Sequence, residues 1–149
     1  MTASIIATRL SRIVLLIRHG TVQSSVNFYH HALGLPIIRV TDEWAELSTM
    51  ASNYHEQNMN ESVVLSLQAV SIGQESQLCV GYTPWITFTV SNLDTMITSC
   101  IQQGAHLDGP IQYPAHGKIA LVRAPVNDNH MIGLYEPNII AGSGNNNNV

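Results

Sequence analysis

The stretch WITFTVSNLDTMITSCIQQG, residues 85–104, combines two periodicities and decides how the chain is interpreted. Residues 85–91 alternate apolar and hydroxyl-bearing side chains after an initial tryptophan, which is typical of a half-buried strand. In the residues that follow, apolar side chains recur at the spacing of one helical face, and Gly104 is suited to end the helix. These inward residues are Leu93, Met96, Ile97, Cys100 and Ile101. The stretch therefore predicts a strand that leads directly into an amphipathic helix.

The same order of elements begins the chain. RIVLLIR, residues 12–18, has the β-branched, apolar composition of a strand. A helix pattern follows between Thr21, an expected N-cap, and Gly34, which is suited to the left-handed position after a helix. Each of the two helices is then followed by three strand patterns. These are LPIIRV (35–40), EWAELS (43–48) and SVVLSLQAV (62–70) in the first half, and LDGPIQY (107–113), KIALVRA (118–124) and HMIGLYE (130–136) in the second.

This repetition predicts an α+β fold built from two βαβββ modules. In such a fold a curved mixed sheet would surround a central cavity, with the helices on the outside. We expect one domain over residues 12–140, with modules at about 12–70 and 84–137. Residues 1–11 are expected to form an N-terminal extension, and the polar, low-complexity residues 141–149 a disordered tail.

Composition excludes several classes of function. A formal charge of −4, from 10 acidic residues against 6 lysines and arginines, offers no basic stripe for phosphates, so nucleic acid is not an expected partner. Arg9, Arg12 and Arg18 interrupt the N-terminal apolar residues, so no signal peptide or membrane span is predicted, and a cytoplasmic protein is expected. Cys79 and Cys100 form no CxxC pair, which favours buried or idle thiols.

Three motifs, in this order and spacing, resemble the vicinal oxygen chelate superfamily. That superfamily includes glyoxalase I, extradiol dioxygenases, fosfomycin-resistance enzymes and bleomycin-resistance proteins. The motifs are FYHHALGLP (28–36), WITFTVSNLD (85–94) and the ending GK…RAP…HMIGLYEP (117–137). The resemblance covers residues 12–137, nearly all of the chain expected to be ordered. It implies the same two-module fold as the repeated pattern.

In metal-dependent members of the superfamily, histidine and glutamate side chains project from the first, fourth, fifth and eighth strands. The matching positions here are Val14, Ser66, Trp85 and Gly133. None of these residues is an ordinary ligand of a divalent ion, because such sites take imidazole, carboxylate or thiolate groups. The resemblance therefore predicts a member that lacks the usual metal ligands and holds no metal or other cofactor.

Strand alternation supports this placement independently. If Val14 faces the cavity, so do Leu16 and Arg18, and the same parity applies to the other three strands. Polar side chains then fall on the cavity face of each of these strands. A shift of one residue would turn them against the helices, which is costly for unpaired hydroxyl and amide groups. The residues predicted to face the cavity from the other three strands are Ser66 and Gln68, Trp85, Thr87 and Thr89, and Gly133 and Tyr135.

Gly133 and Glu46 each admit two interpretations. The room beside Gly133 could be filled by the indole of Trp85 or by a ligand ring, or the glycine could mark a bulge or a tight sheet contact. Glu46 shares a strand face with Trp44 and could act as a proton carrier in the cavity. It could instead be a solvated glutamate paired with Arg18 or Arg39.

The histidines show no metal-binding spacing such as HxH or HxxxH. His30, His31 and His106 are expected at the surface, and His116 and His130 flank turns. A site that joins His19 to His116 or His130 is left open. The loop that contains His55 is a possible lid.

The favoured function is a metal-independent small-molecule binding protein, as the bleomycin-resistance branch implies. A planar or partly apolar ligand would lie among tryptophan rings, hydroxyls and an amide, and a homodimer is expected. The alternative is a glyoxalase-like lyase or isomerase, or a dioxygenase, either metal-dependent or with Glu46 as its base. The predicted ligand-binding residues are Val14, Arg18, Trp44, Ser66, Gln68, Trp85, Thr87, Gly133 and Tyr135.

Overall fold

The computed structural model describes residues 9–50, 63–78, 86–125 and 130–138. The chain divides into two compact units, Met1–Cys79 and Val80–Val149. Each unit contains a four-stranded sheet with one pair of parallel strands and two pairs of antiparallel strands. Among the described residues, no helix is long and apolar enough to cross a membrane.

The first unit follows the predicted order of strand, helix and three strands. Its strands are β1 (Arg12–Ile17), β2 (Ile37–Val40), β3 (Trp44–Ser48) and β4 (Val64–Ala69). Its helix α1 (Val22–Asn27) continues into a π-helical segment, Phe28–Ala32, and a short 3₁₀ turn, Glu75–Gln77, follows β4. The sheet order is β1-β4-β3-β2, with β1 and β4 parallel.

The register of the first sheet separates an apolar face from a mixed one. Leu65 pairs with Ile13 and Leu47, and Leu67 pairs with Leu15 and Ala45. Neighbouring residues in register project to the same side of a sheet, so these side chains form one apolar face. Its central members on β3 and β4 are fully buried, and α1 contacts both strands. This face and the helix form the core of the unit.

The first helix differs from the regular helix that the sequence predicts. Thr21 occupies the N-cap position, but its side chain makes no capping bond and donates instead to the Arg18 carbonyl at 2.7 Å. After six residues the helix widens into the π-helical segment, where Phe28, Tyr29 and Ala32 are buried. The expected glycine end is present, since Gly34 has φ 74° and donates to the His30 carbonyl.

The second unit repeats this topology with strands and a helix of different lengths. Its strands are β5 (Ile86–Thr89), β6 (His106–Leu107), β7 (Gly117–Arg123) and β8 (Met131–Pro137), and its helix is α2 (Leu93–Gln102). The sheet order is β5-β8-β7-β6, with β5 and β8 parallel. The helix is regular, and its N-cap Asn92 accepts a hydrogen bond from the Thr95 amide at 3.0 Å.

The two βαβββ modules and the α+β class predicted from the sequence are confirmed. One strand is wrong in its position: LDGPIQY (107–113) was predicted to be continuous, whereas β6 covers only His106–Leu107, followed by a single bridge from Gln112 to Ile119. The reason is local, because Gly109 has φ 87° and Pro110 has no amide hydrogen to donate. The extension and tail predicted at the two ends lie largely outside the described residues.

Candidate functional site

The first sheet presents its mixed face on the side opposite the core. Across this face Ser66 pairs in register with Val14 and Glu46, and Gln68 pairs with Leu16 and Trp44. The predicted residues of the first module are therefore neighbours, as strand alternation requires. Arg18 lies just beyond β1 and is exposed.

The mixed face offers apolar and aromatic surface beside polar groups. Val14 is 52% exposed, which is unusual for an apolar residue in the middle of a strand. Trp44 is half-buried and Gln68 is exposed. Ser66 is buried, and its hydroxyl donates weakly to the Ala45 carbonyl at 3.4 Å. A stacking surface and a side-chain amide thus lie side by side.

Glu46 is held in a charged network. Its Oε1 accepts a hydrogen bond from Arg12 Nη1 at 2.8 Å, and its Oε2 lies 3.6 Å from Arg39 Nε. Arg39 also lies over the Trp44 ring, 5.9 Å from the ring centre, in a cation–π arrangement. The pairing with Arg39 agrees with one of the two interpretations of Glu46, but the closer partner is Arg12, which the sequence did not suggest.

The second sheet carries uncharged groups at the matching positions. Thr87 pairs in register with Gly133, and Thr89 pairs with Tyr135. Both threonines are exposed and Tyr135 is half-buried. The opposite face of this sheet is apolar, with Ile132 and Leu134 buried against the side where α2 contacts β8. The alternation predicted for β5 and β8 is therefore present.

Gly133 makes a tight contact within the sheet. A Cβ atom at this position would lie 2.6 Å from Thr87 Oγ1 and 3.3 Å from Thr87 Cβ. The register between β8 and both of its neighbours is continuous through Gly133, so the residue is not in a bulge. Thr87 therefore lies beside the room that the glycine leaves, in agreement with the interpretation of a tight sheet contact. Trp85 itself lies outside the described residues, as does the loop with His55.

A contact between His116 and Tyr135 was not predicted. The phenolic oxygen of Tyr135 lies 2.9 Å from His116 Nδ1 and 3.1 Å from the His116 carbonyl oxygen. The two rings are tilted by 58°, with their centres 5.5 Å apart. The sequence gives no direct signal of this pair, because His116 stands in a turn and reaches Tyr135 only through the register of β7 and β8.

Two buried groups show no sign of chemistry. Burial raises the pKa of the Cys100 thiol to about 11, and it also raises the pKa of the Tyr29 phenol well above its usual value. Both side chains therefore stay protonated at neutral pH, and the thiol is a poor nucleophile. The buried thiol agrees with the expectation for Cys100, whereas Cys79 lies outside the described residues.

The residues at the four matching positions do not fit a metal of the kind that the resemblance implies. Of the four matching positions, Val14 and Gly133 have no donor atom, and the Ser66 hydroxyl is directed to a backbone carbonyl. Within residues 9–50, 63–78, 86–125 and 130–138, no group of three or more histidine, cysteine, aspartate or glutamate side chains is arranged to hold a metal ion.

Solved structures resemble this chain over most of its length. A glyoxalase/bleomycin resistance protein/dioxygenase family enzyme from Burkholderia phytofirmans is 15% identical, with a TM-score of 0.66 over 88% of this chain and 100% of that one. A genomically encoded fosfomycin resistance protein from Listeria monocytogenes is 12% identical, with a TM-score of 0.64 over 90% and 97%. A glyoxalase family protein from Bacillus cereus is 16% identical, with a TM-score of 0.64 over 92% and 99%.

No protein-family model and no curated protein matches the chain. At such low identity the likeness concerns the fold. The chain thus has the fold of these glyoxalase and bleomycin resistance family proteins, which confirms the fold that the resemblance of its motifs implies. Many functions share one fold, so the site has to support any further assignment.

Proposed function

We propose that the protein is a metal-independent small-molecule binding protein of the glyoxalase/bleomycin-resistance type. Its ligand is planar or partly apolar. The observation that carries this proposal is the mixed face of the first sheet, where Val14 is 52% exposed and Trp44 lies next to Gln68. Apolar and aromatic surface with a few polar groups is the usual composition of a ligand site. The second sheet has polar groups of its own on the face opposite α2, which are the hydroxyls of Thr87 and Thr89 and the phenol of Tyr135.

Metal independence is supported by the lack of imidazole and carboxylate groups at the positions that match the metal ligands of the metal-dependent members. Activation of water or polarisation of a carbonyl by a metal requires several imidazole or carboxylate ligands. Val14, Ser66 and Gly133 supply none of these at the positions where metal-dependent members carry them.

The contacts of Glu46 favour ligand binding without chemistry over catalysis in which Glu46 is the base. A general base needs a free carboxylate oxygen within reach of the proton that it removes. Here one carboxylate oxygen accepts from Arg12, and the other lies near Arg39. The competing hypothesis remains a lyase or isomerase that uses Glu46, and it predicts a turnover that Glu46→Gln abolishes.

The first test is the metal content of protein that has been purified without chelator and offered nickel, zinc, manganese and iron. We expect none of these metals to be retained in stoichiometric amount. Retention of one metal ion per chain would contradict the proposal and would favour a metal-dependent lyase or dioxygenase.

The second test detects ligand binding at Trp44. The chain has two tryptophans, so its two indole N–H resonances can be assigned with Trp44→Phe and Trp85→Phe variants. Titration with 2-methoxynaphthalene, a planar apolar probe, is expected to shift the Trp44 indole resonance in a saturable way. Trp85→Phe serves as the control that retains this resonance. An unchanged Trp44 resonance would contradict binding at this face.

We also propose that the protein is a homodimer in the cytoplasm. The support for a dimer comes from the fold, since many proteins with this fold pair as dimers. Sedimentation equilibrium would give about twice the chain mass of 16.3 kDa for a dimer, whereas the mass of a single chain would contradict it.

A further inference from the structure

The two contacts of the Tyr135 phenol with His116 can both be hydrogen bonds in only one tautomer of the neutral imidazole. The carbonyl oxygen of His116 can only accept, so its contact with the Tyr135 hydroxyl uses the single phenolic proton. The contact of 2.9 Å between Nδ1 and the same phenolic oxygen then requires a proton on Nδ1. Both bonds are satisfied together only when the neutral ring is in its Nδ1–H form. Nε2 then carries a lone pair.

The turn that carries His116 is fastened to the end of β8. The backbone amide of Asn138 donates to the His116 carbonyl at 2.9 Å, and its side-chain amide donates to the Ala115 carbonyl at 2.7 Å. His116 is therefore attached to the sheet by its imidazole ring and by its backbone carbonyl, and the preceding residue, Ala115, is attached as well. Such attachment fixes the direction of the side chain, which a surface histidine normally lacks.

Gly117 makes this attachment possible. A Cβ atom at Gly117 would collide with the Glu136 carbonyl oxygen and would lie 2.9 Å from a ring carbon of Tyr135. Only glycine lets the start of β7 approach the Tyr135 ring closely enough for the phenol to reach His116. The glycine, the phenol and the imidazole thus form one arrangement.

The imidazole lies beside Tyr135, on the face of the second sheet that also carries Thr87, Thr89 and an arginine, Arg123, which is paired with Asp108. His116 is exposed, and Tyr135 pairs in register with the exposed Thr89 on one side and with Ile119 on the other. A neutral imidazole with a bare Nε2 accepts a hydrogen bond and does not donate one from that atom. It therefore selects a ligand with a hydroxyl or N–H group, and the adjoining tyrosine ring suits a planar one.

We propose that Nε2 of His116 accepts a hydrogen bond from the hydroxyl group of a planar ligand of the phenol or enol class. Tyr135 is a positioning residue that holds the imidazole in its Nδ1–H form. The proposal rests on the proposed function, because it assumes that a small molecule binds to this protein. It adds the chemical class of that molecule and a residue, His116, that recognises it.

The tautomer can be measured directly by long-range ¹H–¹⁵N correlation spectra of the full-length protein. We expect the Nδ1–H form for His116 in the wild type and the Nε2–H form, which free imidazole favours, in Tyr135→Phe. His30 is an internal control, since its Nδ1 bonds to the Leu35 carbonyl at 2.8 Å and is independent of Tyr135. An Nε2–H form of His116 in the wild type would overturn the proposal. The proposal would also be overturned if Tyr135→Phe remained folded and His116 kept the Nδ1–H form in it.

The ligand class is tested with 2-naphthol and its methyl ether 2-methoxynaphthalene, which cannot donate. We expect 2-naphthol to shift the His116 and Thr89 resonances and to bind roughly two- to ten-fold more tightly than the ether, as one net hydrogen bond allows. His116→Ala, which has no side-chain acceptor, and Tyr135→Phe are expected to remove this preference, whereas His106→Ala, at an exposed histidine of the same unit, retains it.

The outcomes separate this inference from the proposed function. A shift of the Trp44 resonance by both probes, with equal affinities and no response at His116, would overturn the role of His116 and leave small-molecule binding intact. Absence of any response at Trp44, His116 and Thr89 to either probe would overturn both.

Discussion

The two modules share their topology and differ on the faces opposite their helices. The sheet orders β1-β4-β3-β2 and β5-β8-β7-β6 correspond strand by strand, and in each the first and last strands of the module are parallel. The first mixed face carries the network of Arg12, Glu46 and Arg39 beside Trp44, whereas the second carries threonines, a glycine and the bonded pair of Tyr135 and His116.

The difference shows which parts of a module are constrained by folding. The helix-facing sides are apolar in both modules, because each must exclude water from its core. The opposite faces are free to differ, since several kinds of side chain satisfy an exposed or half-exposed strand. The residues that distinguish the modules therefore lie on the faces opposite the helices, which folding leaves free to vary.

The largest effect is expected at the pair of equivalent positions Gly133 and Ser66, which both lie beside the first strand of their module. Gly133→Ala introduces a Cβ atom 2.6 Å from Thr87 Oγ1, and we expect it to lower the free energy of unfolding by about 1–3 kcal/mol. Ser66 already carries a Cβ atom beside Val14. Ser66→Ala is therefore expected to cost less than about 1 kcal/mol, as measured by urea denaturation.

The cause of this difference is tested by a double-mutant cycle. Thr87→Ala removes the crowding hydroxyl, so Gly133→Ala should be less damaging in that background, with a coupling of at least about 0.5 kcal/mol. Additive effects would show that Thr87 does not determine the need for glycine. A cost of Gly133→Ala no greater than that of Ser66→Ala would mean that the two positions are equivalent after all.

An intermediate effect is expected at the helix N-termini. Asn92 accepts from the Thr95 amide, so Asn92→Ala should destabilise the protein by about 1 kcal/mol. The side chain of Thr21 makes no such bond and donates to the Arg18 carbonyl at the surface, so Thr21→Ala should cost only a few tenths of a kcal/mol, about the value of an ordinary surface substitution. Thermal denaturation of both variants would measure the difference, and equal losses would contradict it.

The smallest effect is expected in the charged network of the first module. The side chains of Arg12 and Arg39 are 43% and 64% exposed, so water screens both pairs with Glu46. Glu46→Gln is therefore expected to cost about 0.2–1 kcal/mol at low salt, with most of the loss absent at about 1 M salt, where screening acts over about 3 Å.

Glu43→Gln is the matched control, because it removes the same charge from an exposed residue next to the same strand. Its effect should be close to zero at both salt concentrations. A loss for Glu46→Gln that persists in high salt would indicate that the carboxylate is fixed by hydrogen bonds rather than by charge.

Much of this site could be placed from the sequence because strand alternation is local. Once the first strand of each module is recognised, the period of two assigns Val14, Ser66 and Gln68 to one face and Leu65 and Leu67 to the other. The register of the first sheet agrees with that assignment. The length of β6 was not predictable from periodicity alone, since Gly109 and Pro110 interrupt the pattern by their backbone conformation.

The partners of the site residues depend on distances that no local pattern contains. Glu46 accepts a hydrogen bond from Arg12, 34 positions away, which the sequence did not suggest, and it lies near Arg39, which the sequence did suggest. Strand register and side-chain length decide such pairs. The same holds for His116 and Tyr135, which are 19 positions apart and meet because Gly117 allows β7 to approach the tyrosine ring.

The sequence by itself determined the two-module order, the strand faces and the absence of the superfamily's usual ligand types at Val14, Ser66 and Gly133. Periodicity and residue chemistry are properties of the chain, so they can be interpreted before it folds. Only the tertiary structure decided that Thr87 lies beside the room that Gly133 leaves and that His116 is held by Tyr135. These contacts arise from side chains on different strands, whose separation is set by packing and register.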